Sequence, residues 1–227
     1  MLSKTSLACF DAGSDYCPCA LASLGQCISC SMLRGEITCD CGWNGVCIFD
    51  EFLRNGKTHK PPRSEVTAIV EQRRDISGTG KSNAFLAELG VPAELARWCL
   101  FPGSFIMLRP ESTNEYFNVP LSVVEASTDG RIEVAIEVIG PKTVALERAM
   151  GEGQKVIVKG PYWSGLQGLS ELARLNSGKA LIVSKGMGQA TVPQIAKYIL
   201  RREGNLKVLI GPGNLGKVFI DEKLTAL

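Results

Sequence analysis

The sequence predicts a multi-domain α+β protein in three parts: a small cysteine-rich metal module, an antiparallel β-barrel, and the first part of a parallel α/β unit. Three observations predict it. Eight of the nine cysteines lie between Cys9 and Cys47. From Ser64 to about Gly168, short β-rich runs alternate with Gly, Asp and Asn turns. At Lys179 the rhythm changes to continuous apolar runs separated by a helical pattern.

Composition narrows the class. The chain has 227 residues, 45% of them hydrophobic, and a formal net charge of +2. Its Lys and Arg residues are scattered, which argues against a nucleic-acid partner. No apolar run approaches the roughly 20 residues needed to cross a bilayer. The opening MLSKTSLACFDAGSD has no apolar core of a secretory signal, so a cytoplasmic location is expected. Clustered thiols in a reducing compartment point to metal rather than disulfides.

The first domain, residues 1–58, is Cys-, Gly- and Ser-rich with little periodicity. Such a short segment buries too little apolar surface to fold unaided, and a bound metal supplies the missing stability. The metal ligands are Cys9, Cys17, Cys19, Cys27, Cys30, Cys39, Cys41 and Cys47. Cys27-Ile28-Ser29-Cys30 is the most telling pair, because two thiolates at this spacing can share one centre while intervening N–H groups bond to sulfur. Eight thiolates suffice for two four-cysteine sites. An iron–sulfur cluster and structural Zn use the same ligand type, so spacing leaves both open, with disulfides a third alternative. Asn55–Arg63, with two prolines and several basic side chains, is a linker. His59 within it reads as exposed surface rather than a ligand.

The second domain, residues 64–170, is assembled from strands. EVTAIVEQRR alternates and ends at the turn DISGTGKSN. FLAEL is the next strand, PAELARWCLF a short helix, and PGSFIMLRP a strand opened by a Pro-Gly turn. VPLSVVEA and RIEVAIEVIG flank a Thr-Asp-Gly turn. A short helix over ALERAM (Ala145 to Met150) precedes the last strand, QKVIVKGPYW. Cys99, beside Trp98 in an apolar stretch, is expected in the core rather than at a metal.

The third domain, residues 178–227, begins with KALIVSKG, which reads as a parallel strand buried on both faces. A helix over VPQIAKYILRREG presents Ile195, Ala196, Ile199 and Leu200 on one face and stops at Gly204. LKVLIGPG is a second strand and KVFIDEKLTAL starts a second helix. This is the opening of a doubly wound nucleotide-binding domain, and two parallel strands make a truncated one.

The stretches PGSFIMLR, NVPLSV, IEVIGPKT, KVIVKGPYWSGLQG and ALIVSKGMGQATVP, in this order, resemble the ferredoxin–NADP reductase superfamily. Within it the chain is similar to dihydroorotate dehydrogenase electron-transfer subunits. It is closer still to the clostridial sulfide/dihydroorotate dehydrogenase-like FAD/NAD-binding proteins, the only group whose front end is similarly Cys-rich. The resemblance covers about Ser64 to Leu227 and implies a flavin-reductase type of barrel.

The resemblance also implies site residues. An Arg-Pro-x-Ser segment contacts the flavin in the family. Pro120, Leu121 and Ser122 occupy it here, but Val119 stands where arginine would grip FAD phosphate. A Gly-x-Gly-Thr turn is matched by Gly140 and Thr143, with Lys142 for its second glycine and Glu137 in the position of a preceding basic residue. Gly160 and Pro161 match a third turn, where Tyr162 and Trp163 replace small residues and could stack on a flavin or fill its space. Lys185, Gly186 and Gly188 match the loop where nicotinamide phosphates approach a helix N-terminus.

The implied activity is flavin- and iron–sulfur-dependent electron transfer between NAD(P)H, FAD and a cluster, with a redox partner protein or catalytic subunit as acceptor. No residue stands out as a substrate acid or base. The alternative is a non-enzymatic Zn-binding or docking protein on a reductase scaffold without flavin.

Overall fold

The computed structural model describes residues 65–162 and 178–227, together with 30–32, 35–39, 49, 53, 56, 166 and 172. Six strands, β1 (Glu65–Asp75), β2 (Ala84–Gly90), β3 (Phe105–Pro110), β4 (Val119–Ala126), β5 (Arg131–Glu137) and β6 (Lys155–Tyr162), close into an antiparallel barrel in the order β1-β2-β5-β4-β3-β6. Every expected strand is present. Closure leaves no unpaired edge and turns the alternate residues of each strand inward. Ala68, Val70, Phe85, Ala87, Leu89, Ile106, Leu108, Val134, Ile136, Val156 and Val158 fill the interior. Helix α1 (Ala93–Trp98) and helix α2 (Pro141–Ala149) lie against it, with Leu95, Ala96 and Leu146 in the same core.

Helix α2 begins four residues before the expected ALERAM helix. Gly140 is its extended N-cap and Pro141 takes the first turn, where no N–H is needed. The Thr143 hydroxyl oxygen accepts the backbone N–H groups of Ile139 (3.0 Å) and Gly140 (3.1 Å), which nucleates the helix.

Strands β7 (Lys179–Lys185) and β8 (Asn205–Gly211) pair in parallel. A 3-10 turn (Gly186–Thr191) and helix α3 (Val192–Leu200) connect them, and a short helix α4 (Asp221–Thr225) follows. The expectation that β7 is buried on both faces is corrected. Ala180, Ile182 and Ser184 are half-buried, whereas Leu181 and Val183 are 60% and 71% exposed. Among the described residues, helix α3 and the barrel cover one face of this sheet. The end of α3 also differs in detail. Glu203 takes the left-handed conformation (φ 59). Gly204 is needed for space, since a Cβ there would lie 2.6 Å from Ile199 Cγ2.

The C-terminal unit docks on the outer face of β2, β4 and β5. Ala84, Leu86, Val124 and Ala135 meet Ala190, Val192, Leu215, Phe219 and Ile220 in a second core. A bulge between Val123 and Glu125 serves this contact. It lets Val123 point inward while Val124 and Glu125 both face outward. Glu125 pairs with Lys197 on α3 and with Lys223 on α4, and Lys223 also reaches Glu133 on β5 at 2.6 Å.

The β1–β2 turn, which reads Gly-Thr-Gly-Lys-Ser at 78–82, is a second tether. The amides of Gly78 (3.0 Å) and Gly80 (3.2 Å) both donate to the Leu215 carbonyl, and that of Ser82 to the Asn214 carbonyl. The glycines here allow two backbones to touch: a Cβ on Gly80 would fall 1.8 Å from the Asn214 carbonyl oxygen.

Gly80→Ala should therefore lower stability by about 1–3 kcal/mol, read by thermal melting. Hydrogen exchange should show the loss concentrated at 213–227; an unchanged melt would remove the tether. Charge makes a second expectation. Partial burial disfavours the Glu125 carboxylate, but the two ammonium groups outweigh it and hold its pKa below the usual range. Lys223 is likewise disfavoured by burial and raised on balance by Glu125 and Glu133. The Glu125 contribution is present above the ordinary carboxylate pKa and is lost as pH falls through the lowered value. The Lys223 contribution is present below the ordinary lysine pKa and is lost as pH rises through the raised one. Lys223→Met should flatten the alkaline loss of stability in pH-dependent melts.

Candidate functional site

Strand β4 carries the segment expected to meet a cofactor. Its two-residue alternation sends Leu121 and Val123 into the barrel core, with Val119 packed against that core. Pro120 and Ser122 are left on the outer face. They stand opposite Met107 and Phe105 of β3, which belong to a separate outer cluster with Tyr162. Val119 thus sits where it does because this position faces a hydrophobic interior, and an arginine pointing there would bury an unpaired charge. Leu121 can offer only its backbone to a ligand on the outer side. Val119 and Leu121 are filling residues, and Ser122, only half-buried, is the available polar side chain.

The turn Ile139–Thr143 follows β5, the strand that pairs with β4. An added Cβ on Gly140 meets nothing within 4 Å, so the approach to the α2 N-terminus is open. The Lys142 ammonium lies 4.6 Å from the centre of the Tyr116 ring, in the 3-10 turn just before β4. That contact draws a cation towards the start of β4. Thr143 is buried and its hydroxyl caps α2, so its side chain is committed to the fold. Glu137 ends β5 opposite Ala84, on the outer side of the barrel. Lys159 of β6 pairs with Glu115 at 3.8 Å.

Gly160 has φ 153 and packs against β3, where a Cβ would meet Ile106 Cγ2 at 3.2 Å. Pro161 and Tyr162 are buried, and the Tyr162 ring stacks on Phe105 with centroids 5.2 Å apart. Of the two aromatics expected at this turn, Tyr162 fills space. Trp163 lies outside the described residues.

At the carboxyl ends of β7 and β8 the chain forms a second loop cluster, the usual place for ligands in parallel α/β sheets. Lys185 is exposed. Gly186 (φ 57) and Gly213 (φ 61) lie back to back, and a Cβ on Gly213 would fall 2.7 Å from the Gly186 Cα. Gly188 is exposed; a Cβ there would lie 3.3 Å from Ser184 Oγ, which is buried without a hydrogen-bond partner. Gln189, fully buried, braces the loop: its amide donates to the Lys217 carbonyl (3.1 Å) and accepts the Phe219 N–H (3.0 Å). Gln189, Gln194 and Ser104 carry no signal of a role in the sequence. Each is a lone polar residue in a mostly apolar run, and only its partners reveal its role.

The expected phosphate and ring contacts therefore divide into two groups. Pro120 and Ser122 are on the outer face of β4, with Gly140 and Lys142 in the turn after β5 and Lys142 close to Tyr116; Lys185, Gly186 and Gly188 cluster at the ends of β7 and β8. Of the eight cysteines named as metal ligands, Cys30 is buried and Cys39 exposed; Cys9, Cys17, Cys19, Cys27, Cys41 and Cys47 lie outside the described residues. Among the described residues no group of His, Cys, Asp or Glu is arranged to hold a metal ion, and no helix is long and apolar enough to cross a membrane.

Comparison with known proteins places this architecture. Over 68% of the chain it superposes on an NADH-dependent reduced ferredoxin–NADP oxidoreductase with a TM-score of 0.55 and 21% identity, covering 51% of that chain. At this identity the likeness is one of fold. A ferredoxin reductase of carbazole 1,9a-dioxygenase matches at a TM-score of 0.55 and 19% identity, over 73% of this chain and 48% of the other. In sequence, the chain is 23% identical over 124 residues to the electron transfer subunit of dihydroorotate dehydrogenase B (NAD(+)) from Streptococcus mutans, covering 54% of this chain and 46% of that one. No protein-family model matches the chain. The chain spans about half the length of these relatives.

Cys99 is where the sequence placed it. It is fully buried in the barrel core, and burial pushes its thiol up to about 12. Mapped by mass spectrometry after alkylation at mildly alkaline pH, Cys99 should remain unmodified in the native protein and react after unfolding; modification of the native protein would contradict the burial.

Proposed function

We propose that the chain is a flavin-dependent electron-transfer oxidoreductase, or the electron-transfer part of one, working between a nicotinamide dinucleotide and a redox partner protein. The observation that carries this reading is the Gly140 turn at the start of α2, with free space at Gly140 and with Lys142 drawn to Tyr116 just before β4, whose Pro120 and Ser122 face outward. The fold and the similarity to an electron transfer subunit support it.

The residues present fit FAD. The Gly140 turn would let a pyrophosphate approach the first amides of α2, where the partial positive charge of the helix favours an anion. Lys142 would add a full charge, held in place by Tyr116. Ser122 and the backbone of Pro120 and Leu121 would border the ring, with Gly160 and Pro161 shaping the turn beyond it. Bound FAD supplies the conversion of a two-electron hydride donation into single-electron steps. At the ends of β7 and β8, Gly186 and Gly188 would admit the phosphates of NAD(P), Lys185 would pair with them, and the unsatisfied Ser184 hydroxyl would gain a partner.

In the same reading the cysteine module binds iron–sulfur through four-thiolate sets drawn from Cys9, Cys17, Cys19, Cys27, Cys30, Cys39, Cys41 and Cys47, and forms the electron port to the partner. A second reading is favoured by the inward Val119 and the buried Tyr162: a zinc-binding docking protein whose barrel holds no flavin.

Protein purified without oxygen should be coloured and should yield flavin, iron and acid-labile sulfide; a colourless protein containing zinc would replace the first reading with the second. Ser122→Ala and Gly140→Val should lower flavin retention at least about tenfold. Thermal stability without flavin should hold, because Gly140 has extended backbone and free space around it. Full retention in both variants would move the flavin elsewhere.

A further inference from the structure

We infer that Gln194 and Ser104 are positioning residues that fix the nicotinamide-side loop relative to the flavin-side strand. The inference rests on the function proposed above. Gln194 is in the first turn of α3, three residues after the 3-10 turn that carries Gly186 and Gly188. It is 6% exposed, and Ser104 is 1% exposed. The Gln194 side-chain amide donates to the Cys99 carbonyl at 2.8 Å. The Ser104 hydroxyl donates to the same carbonyl at 2.7 Å and lies 3.2 Å from Gln194 Oε1. These distances assign the glutamine orientation, because a carbonyl oxygen can only accept. On its other side Ser104 reaches β4: its carbonyl accepts the Val123 N–H at 3.0 Å, and Val123 adjoins Ser122.

A continuous hydrogen-bonded line therefore runs from Ser122–Val123 through Ser104 and the Cys99 carbonyl to Gln194. Apart from the bonds of the 78–82 turn to residues 214–216, at the far end of the C-terminal unit from α3 in sequence, the other described contacts between the units are apolar packing or ion pairs with long side chains, which tolerate small rotations and slides. Buried amide–carbonyl bonds do not, since misalignment leaves unsatisfied polar groups in an apolar surround. Hydride transfer between two bound ring systems depends on sub-ångström alignment, which this geometry would set.

The test uses the full chain as purified, with Gln194→Leu and the milder Ser104→Ala. Three measurements are made: flavin content, hydrogen exchange of the Val123 and 186–191 amides, and flavin reduction on mixing with NADH. Gln194→Leu should keep wild-type flavin content and raise exchange at 186–191 about tenfold. It should slow reduction at saturating NADH at least about tenfold, with half-saturating NADH changed by less than roughly twofold. Ser104→Ala should show the same pattern to a smaller degree. Unchanged exchange in both variants overturns the tether whether or not flavin is present. Raised exchange with an unchanged reduction rate overturns the positioning role, as does a loss expressed only in half-saturation. A wild-type protein devoid of flavin would instead remove the function on which the inference rests, while exchange still judges the tether.

Discussion

The two-residue period of β4, interrupted once by its bulge, is the constraint on which the rest of the molecule depends. Leu121 and Val123 close the barrel interior, and Val119 packs against it. Pro120 and Ser122 are thereby pushed outward, where a ligand can meet them. Past the bulge, Val124 and Glu125 carry the C-terminal unit through an apolar contact and two lysine pairs. A slip of one residue would turn Ser122 into the core and Leu121 to the surface. Pairing with β3 on one side and β5 on the other prevents that slip.

The barrel was legible because its strands are short, alternate in polarity, and are punctuated by turn residues whose chemistry is local. The start of α2 was not, since Gly-Pro-Lys-Thr has the composition of a turn. Only the bonds of the Thr143 hydroxyl to two backbone N–H groups make it a helix start. Burial of β7 is not legible for a different reason. Strand propensity in Leu181 and Val183 is local, whereas burial depends on which neighbours are packed against each face. In the sequence the Gly78–Gly80 tether has only the pattern of a turn. Its glycines are explained by a backbone more than a hundred residues away in sequence, and no local pattern reports such an approach.

The site was legible to a lesser extent than the fold. Resemblance points to the segments Pro120–Ser122, Gly140–Thr143 and Gly186–Gly188, yet it cannot say which way each side chain points. The structure divides them. Ser122 and Gly140 present open positions, whereas Leu121 and Thr143 are absorbed by the core and the helix cap. Gln189, Gln194 and Ser104 went unremarked because buried polar residues acquire meaning only through partners distant in the chain.

Val119 bears on how an anion would be held at this face. Val119 packs against the barrel core, so an arginine there would have to turn away from that packing before it could grip a phosphate on the outer face. Charge at the turn must come instead from the α2 N-terminus and Lys142. An ammonium group is a compact point charge without the planar fork of arginine, so it attracts phosphate with less directional specificity. At a surface turn, that attraction is screened by salt over about 8–10 Å. The physical consequence of the proposed function is a flavin held less by the turn than by the ring face along β4. This shifts the weight of binding onto Ser122 and the backbone beside it, the same segment whose amide at Val123 begins the hydrogen-bonded line to α3.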